Sequence, residues 1–468
     1  MAQAFCERQY EAFWADPSSV PITWVGLLFS MIGLAVLAAE PPDSIQCQDK
    51  IKQQSLQLDL YREKIVQCLV AGEYTRSGPY VLETVINYVY IEFGIRADAD
   101  KDTWFLLALE VNLAMRMGYH RDPSHFPGIS PLQGEMRRRL WATVLMSDVL
   151  ISSQMGLPRM IAENRCDTAE PRNLNDTDFD EETVELCPSR PETEHTAALG
   201  IIARRRMLMA LGTILDLTAA VKPCSYAEVM RVDGILHDAF ASIPPPLKTK
   251  PIAASVMDSP HIIMSRLFIS HMFYKGQIIL HRRFLYQKPP ADGNDDPFTY
   301  SRTACLDASL GTLDIQHILD EETCPEGLLH TLRWRVSSIM NHQFLTATVI
   351  LCSLLHQGKT LNREEEIITA LRRSRAIWVR KCSGSIEAKK AAETVNIVLA
   401  RAGEGHGWGI SPRSHNANAL MDGRVTGTHP NSNTDNHDTS AEPAIPDSMG
   451  LYECMSVFIR LSIMRTLG

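Results

Sequence analysis

Asp176, Asp178 and Asp180 alternate as the first oxygen ligands of a calcium loop do, so cation binding is the first chemistry to test. Such a loop needs Gly at its sixth position and a bidentate Glu at its twelfth; here these are Glu181 and Cys187, and the pattern fails. The 11 cysteines run singly from Cys6 to Cys454 with no CxxC pair, which spells neither a zinc site nor a disulfide framework and fits reduced thiols in a nucleus or cytosol. Cys68 beside Leu69 and Cys352 beside Leu351 read as small buried hydrophobes. There is no HExxH, no G-x-S-x-G elbow and no phosphate-binding loop. Gly403, Gly405, Gly407 and Gly409 recur by twos in a polar tail, the wrong setting for a dinucleotide turn. No residue is assigned a catalytic or metal-binding role, and an enzyme is not expected.

The other chemistry-bearing groups are charges on helical stretches. Arg137 to Arg139, Arg204 to Arg206, Arg282 with Arg283, and Arg372 with Arg373 and Arg375 are clusters of the kind that serve nuclear import or touch phosphate. Three consecutive residues fan over about 200° of a helix, so a triplet cannot present one face, and solvated or ion-paired surface is the expectation. With Lys+Arg 46 against Asp+Glu 55 the net charge is -9, which repels a phosphate backbone. Leu351, Leu354 and Leu355 form an L-x-x-L-L string that fits either a co-regulator groove or a buried core, and its apolar surroundings favour the core. Trp141, Leu145, Asp148 and Ser152 share a helix face, so Asp148 interrupts a largely apolar stripe. A carboxylate there needs a partner, and an Arg or His on another helix is expected to supply it.

Helical periodicity dominates the 468 residues, of which 45% are hydrophobic and 22% charged, so an all-α protein with a sizeable core is expected. The periodicity predicts helices at 24–39, 45–71, 78–93, 103–117, 131–153, 197–220, 226–241, 261–286, 300–320, 328–356, 364–381 and 385–401. These form one large multi-helix body over residues 1–401, interrupted by an acidic loop at 167–194 and Pro-rich loops at 243–251 and 287–297. Residues 402–448 are rich in Gly, His, Asn, Ser and Thr and too poor in large apolar side chains to offset ordering entropy, so this polar segment is expected to be disordered. Residues 449–468 then read as a short apolar helix docking on the body. Val20 to Ala39 is nearly all apolar and about long enough to span a bilayer, which needs ~20 residues. It holds Gly26, Ser30 and Gly33 and has no flanking Lys or Arg, so a core helix is expected there and no membrane.

The segment from Thr103 to Asn173 is the most informative. It reads TWFLLALEVNLAMRMGYHRDPS, then EMRRRLWATVLMSDVLISSQMGLP, then IAENRCDTAEPRN. These blocks resemble the fungal-specific transcription factor domain, the middle homology region of the fungal zinc binuclear cluster regulators. That family has a helix ending in Ala-x-x-x-Gly-Leu-His-Arg-Asp, a Glu-x-Arg-Arg-Arg-x-Trp helix with a downstream Asp, a Gly-x-Pro turn, an Asp and a Pro-x-Asn. The matching positions are Ala114, Gly118, Tyr119, His120, Arg121 and Asp122; Glu135, Arg137, Arg138, Arg139, Trp141 and Asp148; Gly156 and Pro158; and Asp167, Pro171 and Asn173. The likeness extends upstream through WVGLLFSMIGLA, with Tyr10 to Ala39 resembling a first core helix, and downstream to LHRRFL at Leu280–Leu285. Tyr119 stands where Leu is usual, and Leu157 where Arg is common.

The resemblance implies a nuclear regulator of RNA polymerase II transcription, of the kind that controls metabolic gene clusters. Its helical body would meet transcription machinery or co-regulators and, in a pocket between helices, a small-molecule effector. It implies structural roles for the motif residues. His120 and Arg121 are expected to cap a helix end, and Glu135 with Arg139 forms a favourably oriented i,i+4 pair. No zinc cluster is written in this chain. Zinc and DNA contact are expected only through a missing N-terminal cluster or a partner, and no cofactor in the chain itself. No sustained heptad run marks a coiled coil, which leaves dimerisation open. The alternatives are a helical small-molecule binder or enzyme without DNA contact, and a protein anchored through Val20 to Ala39.

Overall fold

Where each helix starts and stops follows from its end residues, and α6 shows this best. The computed structural model describes residues 2–39, 47–222, 224–287 and 296–405. Helix α6, Pro131–Met155, opens on a capping box in which the Ser130 side chain accepts from the Gln133 amide and Gln133 answers back, with Pro131 at the first helical position. It closes on Gly156, whose φ of 67° is left-handed, with the Leu157 amide bonded to the Ser152 carbonyl. Ser225 and Ser259 cap the starts of α8, Tyr226–Ala241, and α9, Pro260–His281, their side chains accepting the Glu228 and Ile262 amides. In α12, Glu364–Lys381, three Glu fill the first turn and Arg380 and Lys381 the last, complementing the helix dipole.

The other helices are α1, Ala2–Ala15; α2, Ile22–Ala38; α3, Cys47–Ala71; α4, Val81–Gly94; α5, Asp102–Arg116; α7, Leu199–Ala219; α10, Thr299–Glu322; α11, Ser338–His356; and α13, Ile386–Gly405. All regular structure among the described residues is helical, as the periodicity predicts. Helices α2 to α6 bury one apolar core around Val85, Leu107 and Trp141. Helices α6 to α9 share a second around Met207, Val232 and Met272. Helices α9 to α13 enclose two more, around Leu306 and Leu351 and around Phe344 and Trp378. Helices α6 and α9 each serve more than one core, Trp141 of α6 packing into the first and Val149 into the second.

Several boundaries differ from those read in the sequence. The expected first core helix divides at Asp16, whose carboxylate takes the Ser18 amide and caps a short turn at Pro17–Ser19 before α2 begins. The 328–356 stretch divides into a 3-10 turn, His330–Arg335, and α11. Helix α9 stops at His281 and passes into a second turn, Arg282–Phe284. Helix α13 runs on to Gly405, so the first residues given to the polar segment 402–448 are helical. The rest of that segment, the helix at 449–468 and most of the 287–297 loop lie outside the described residues.

Helix α2 is partly buried along its length. Trp24, Leu28, Met31 and Leu34 are inside, and its glycines admit close neighbours: a Cβ on Gly26 would lie 3.0 Å from the Cys68 Cβ, and one on Gly33 2.9 Å from the Ile91 Cδ1. Among the described residues the helix long and apolar enough to cross a membrane is α11, not α2, and just over half of its apolar window, 56%, is buried. Leu351, Leu354 and Leu355 lie in its buried face, which leaves the L-x-x-L-L string no surface to offer a groove.

Candidate functional site

The motif residues converge on one feature, the irregular segment between α6 and α7. Only a 3-10 turn, Glu163–Arg165, interrupts it, so its backbone polar groups need side-chain partners. Asp148, fully buried, accepts the amides of Met160 and Ile161 at 2.9 Å each and the Ser152 hydroxyl at 3.3 Å. Burial raises its pKa although those amides oppose the rise. The expected tie to an Arg or His on another helix is therefore replaced by a clasp on the chain just past the Gly156 and Pro158 turn. Leu157 is exposed, and Arg159, two residues on, makes ion pairs with Glu163 at 3.1 Å and Asp216 at 2.5 Å.

Glu135 and Arg139 do the same further on. Arg139 donates to Glu135 at 3.2 Å, to Asp176 at 2.7 Å and to the Leu174 carbonyl at 3.0 Å, while Glu135 also takes the Arg172 amide. All three side chains are buried. Beside buried Pro171, Asn173 donates to the carbonyls of Arg190, Pro191 and Glu194 and accepts the Thr196 hydroxyl at 2.6 Å.

Asp122 takes both Nε and Nη2 of Arg138, at 2.9 and 2.8 Å, and the amides of Ser124 and Ala169. Burial pushes this carboxyl up, but Arg138 and the amides outweigh it and hold it well below the usual carboxylate range. Asp167 receives the Asp122 amide and an ion pair from Arg121 at 3.2 Å. His120 packs against buried Trp141. Neither His120 nor Arg121 caps a helix: the end of α5 is closed by Gly118, at φ 76°, and by Arg137, which donates to the Met117 carbonyl and lies over the Tyr119 ring.

Every motif carboxylate is thus engaged with a protein donor. No group of three His, Cys, Asp or Glu could hold a metal among the described residues. The constellation is a polar strut that fixes a long loop to α5 and α6.

The arginine triplet of α7 divides three ways, as its fan requires. Arg206 pairs with Glu170 at 3.3 Å and Glu192 at 2.6 Å, and Arg205 donates to the Thr168 carbonyl at 2.8 Å. Arg204 turns inward to a cavity of about 160 Å³. Its walls come from α2, α4, α6, α9 and the first turn of α11. They include Ile86, Phe93, Met146, Leu150, Met264 and Phe268, with Tyr90, Trp334 and Arg335 beside Arg204. Burial, then repulsion from Arg335, lowers the Arg204 pKa to about 10, so it stays cationic at neutral pH; Arg335 is lowered by burial too. Sequence reasoning missed this site. Arg204 read as helix surface, and nothing in the local pattern brings 334–340 beside residue 204.

A profile of the family described as fungal specific transcription factor domain matches residues 6–227, which span the strut and Arg204 but not Trp334 and Arg335. The chain is 42% identical to the Zn(2)-C6 fungal-type transcription factor mpsB of Macrophomina phaseolina, over 88% of this chain and 56% of that protein. It is 40% identical to the fusarisetin A cluster transcription factor fsa6 of a Fusarium species, over 84% and 53%. It is 33% identical to the transcription factor cghF of Chaetomium globosum, over 82% and 68%. The chain spans about half the length of most of the curated relatives it matches. No solved structure matches it.

Proposed function

The chain belongs to the fungal Zn(2)-C6 transcription factor family, and from that premise we propose that it is the regulatory body of a nuclear regulator controlling a secondary-metabolite gene cluster. The observation that carries this reading is the run of relatives, among them factors named for the fusarisetin A, pyrrolocin and equisetin clusters, aligned along most of the chain. The body receives a signal, from a small effector or a partner protein, and passes it to the transcription machinery. It works without catalysis.

DNA is read through another segment or a partner. The committed arginines support this: Arg138, Arg139, Arg205 and Arg206 are bound to acids or carbonyls of their own chain, which leaves them little to give a phosphate. Purified as the 468-residue chain, the protein is expected to bind no duplex with sequence preference. The test in the cell is deletion of the gene followed by transcript profiling. Transcripts of one contiguous biosynthetic gene cluster should change severalfold and return on complementation; unchanged transcripts across every such cluster would overturn the reading.

A further inference from the structure

Arg204 is a group whose surroundings among the described residues do not account for it. Its neighbours on α7 each have an acid or a carbonyl, whereas Arg204 makes no ion pair among the described residues and faces instead Arg335, Tyr90 and an apolar cavity. No Asp or Glu lines that cavity among the described residues. Arg204 is half-buried, and a guanidinium that gives up part of its water for apolar surroundings is left under-solvated unless an anion or several acceptors meet it. Two further features share its sign. Ser337, Ile339 and Met340 at the start of α11 line the cavity, which brings the positive dipole end of that helix to its wall, and Ser337 makes no side-chain cap. Trp334 Nε1 is buried without a hydrogen-bond acceptor, and the Trp334 ring meets Tyr90 edge to face at 6.0 Å.

Much of the remaining lining is apolar and in part aromatic, with Phe93 of α4, Met146 and Leu150 of α6 and Phe268 of α9. Cationic donors together with a mainly apolar lining, broken by the hydroxyls of Thr143, Ser147 and Ser265, define a site for an ion with a hydrophobic tail. We propose that this cavity binds a small amphipathic acid, its single anionic head on the Arg204 guanidinium and its ring or chain against α4, α6 and α9. This rests on the reading of the chain as the receiving body of a regulator and names the chemistry of its effector. Because the cavity gathers α2, α4, α6, α7, α9 and α11, such a ligand bridges the cores of the molecule and favours the arrangement in which those helices meet.

The test is isothermal titration of the full chain at neutral pH with 4-phenylbutanoate and with its uncharged counterpart 4-phenylbutan-1-ol. The acid should bind one-to-one and at least tenfold more tightly than the alcohol. Arg204→Met should erase that preference, weakening the acid tenfold or more while leaving the alcohol within twofold, and Met146→Trp, which fills the cavity, should abolish both. Equal binding of acid and alcohol to the unaltered chain, an undiminished preference in R204M, or no binding of either at millimolar concentration would each overturn the proposal. The acid and alcohol comparison on the unaltered chain decides the matter should R204M fail to fold. The wider reading fails separately: if R204M loses the acid in titration yet transcribes its target genes normally in the fungus, the site stands and its regulatory use falls.

Discussion

Arg139 meets two carboxylates and a carbonyl in a place that excludes water, so its removal strands charges that no solvent reaches. Breaking one partner out of a buried ionic group costs about 3–5 kcal/mol. Arg139→Met is expected to lose that much by urea denaturation, and Arg139→Lys to recover little, because an ammonium cannot reach Glu135, Asp176 and Leu174 in the plane a guanidinium does. Asp148→Ala leaves the Met160 and Ile161 amides unmet, at about 1–3 kcal/mol each; Asp148→Asn, with one acceptor oxygen left, should lose less. Glu110 is different. Both its carboxyl oxygens are buried and meet no donor at good hydrogen-bond geometry, and burial, opposed by the nearby Ser147 hydroxyl and reinforced by the Asp148 charge, pushes its pKa from 4.5 up to about 8. A carboxyl raised on folding takes up a proton as the chain folds, so its contribution is complete below about pH 4.5 and is lost as pH rises towards 8. Glu110→Gln should therefore melt like the unaltered chain at pH 4.5 and hotter than it at pH 8.5. An equal offset at both pH values would contradict this. That Asp148 needed a partner was legible from its place in an apolar stripe. That backbone amides supply it was not, because the path of the chain after Gly156 depends on tertiary contacts.

At the level of elements, helix ends explain most of what the sequence disclosed. Tyr226–Ala241 and Glu364–Lys381 match their sequence-read bounds because a Ser cap and a graded charge pattern mark them. The boundaries that moved lie where an apolar run hides a turn. Asp16, Pro17 and Pro21 break what reads as one helix, and Val336 and Ser337 interrupt another. Gly156 offers a clean test of the closing turn. A Cβ there meets nothing within 4 Å, so Gly156→Ala carries only the strain of a left-handed residue, about 1 kcal/mol. A loss of several kcal/mol in its denaturation midpoint would mean that the turn has contacts beyond those described.

For the molecule as a whole, the all-helical class and the identifying blocks at Thr103 to Asn173 were open to the sequence, since both rest on patterns within one or two helices. The cavity was not, because it is assembled from α2, α4, α6, α7, α9 and the start of α11, residues 34 to 340 of the chain. Its one sequence signal, Arg204, looked the same as Arg205 and Arg206 until the fold gave each a different neighbour. The proposed role of the strut and of the Arg204 cavity stands or falls on whether the shape of this body is read by transcription. The direct measurement is to fuse the chain to a bacterial DNA-binding domain and follow a reporter carrying that domain's operator in fungal cells. The account predicts output shifted severalfold, up or down, from that of the DNA-binding domain alone, and output indistinguishable from it, with the fusion present in the nucleus at equal level, would contradict the account.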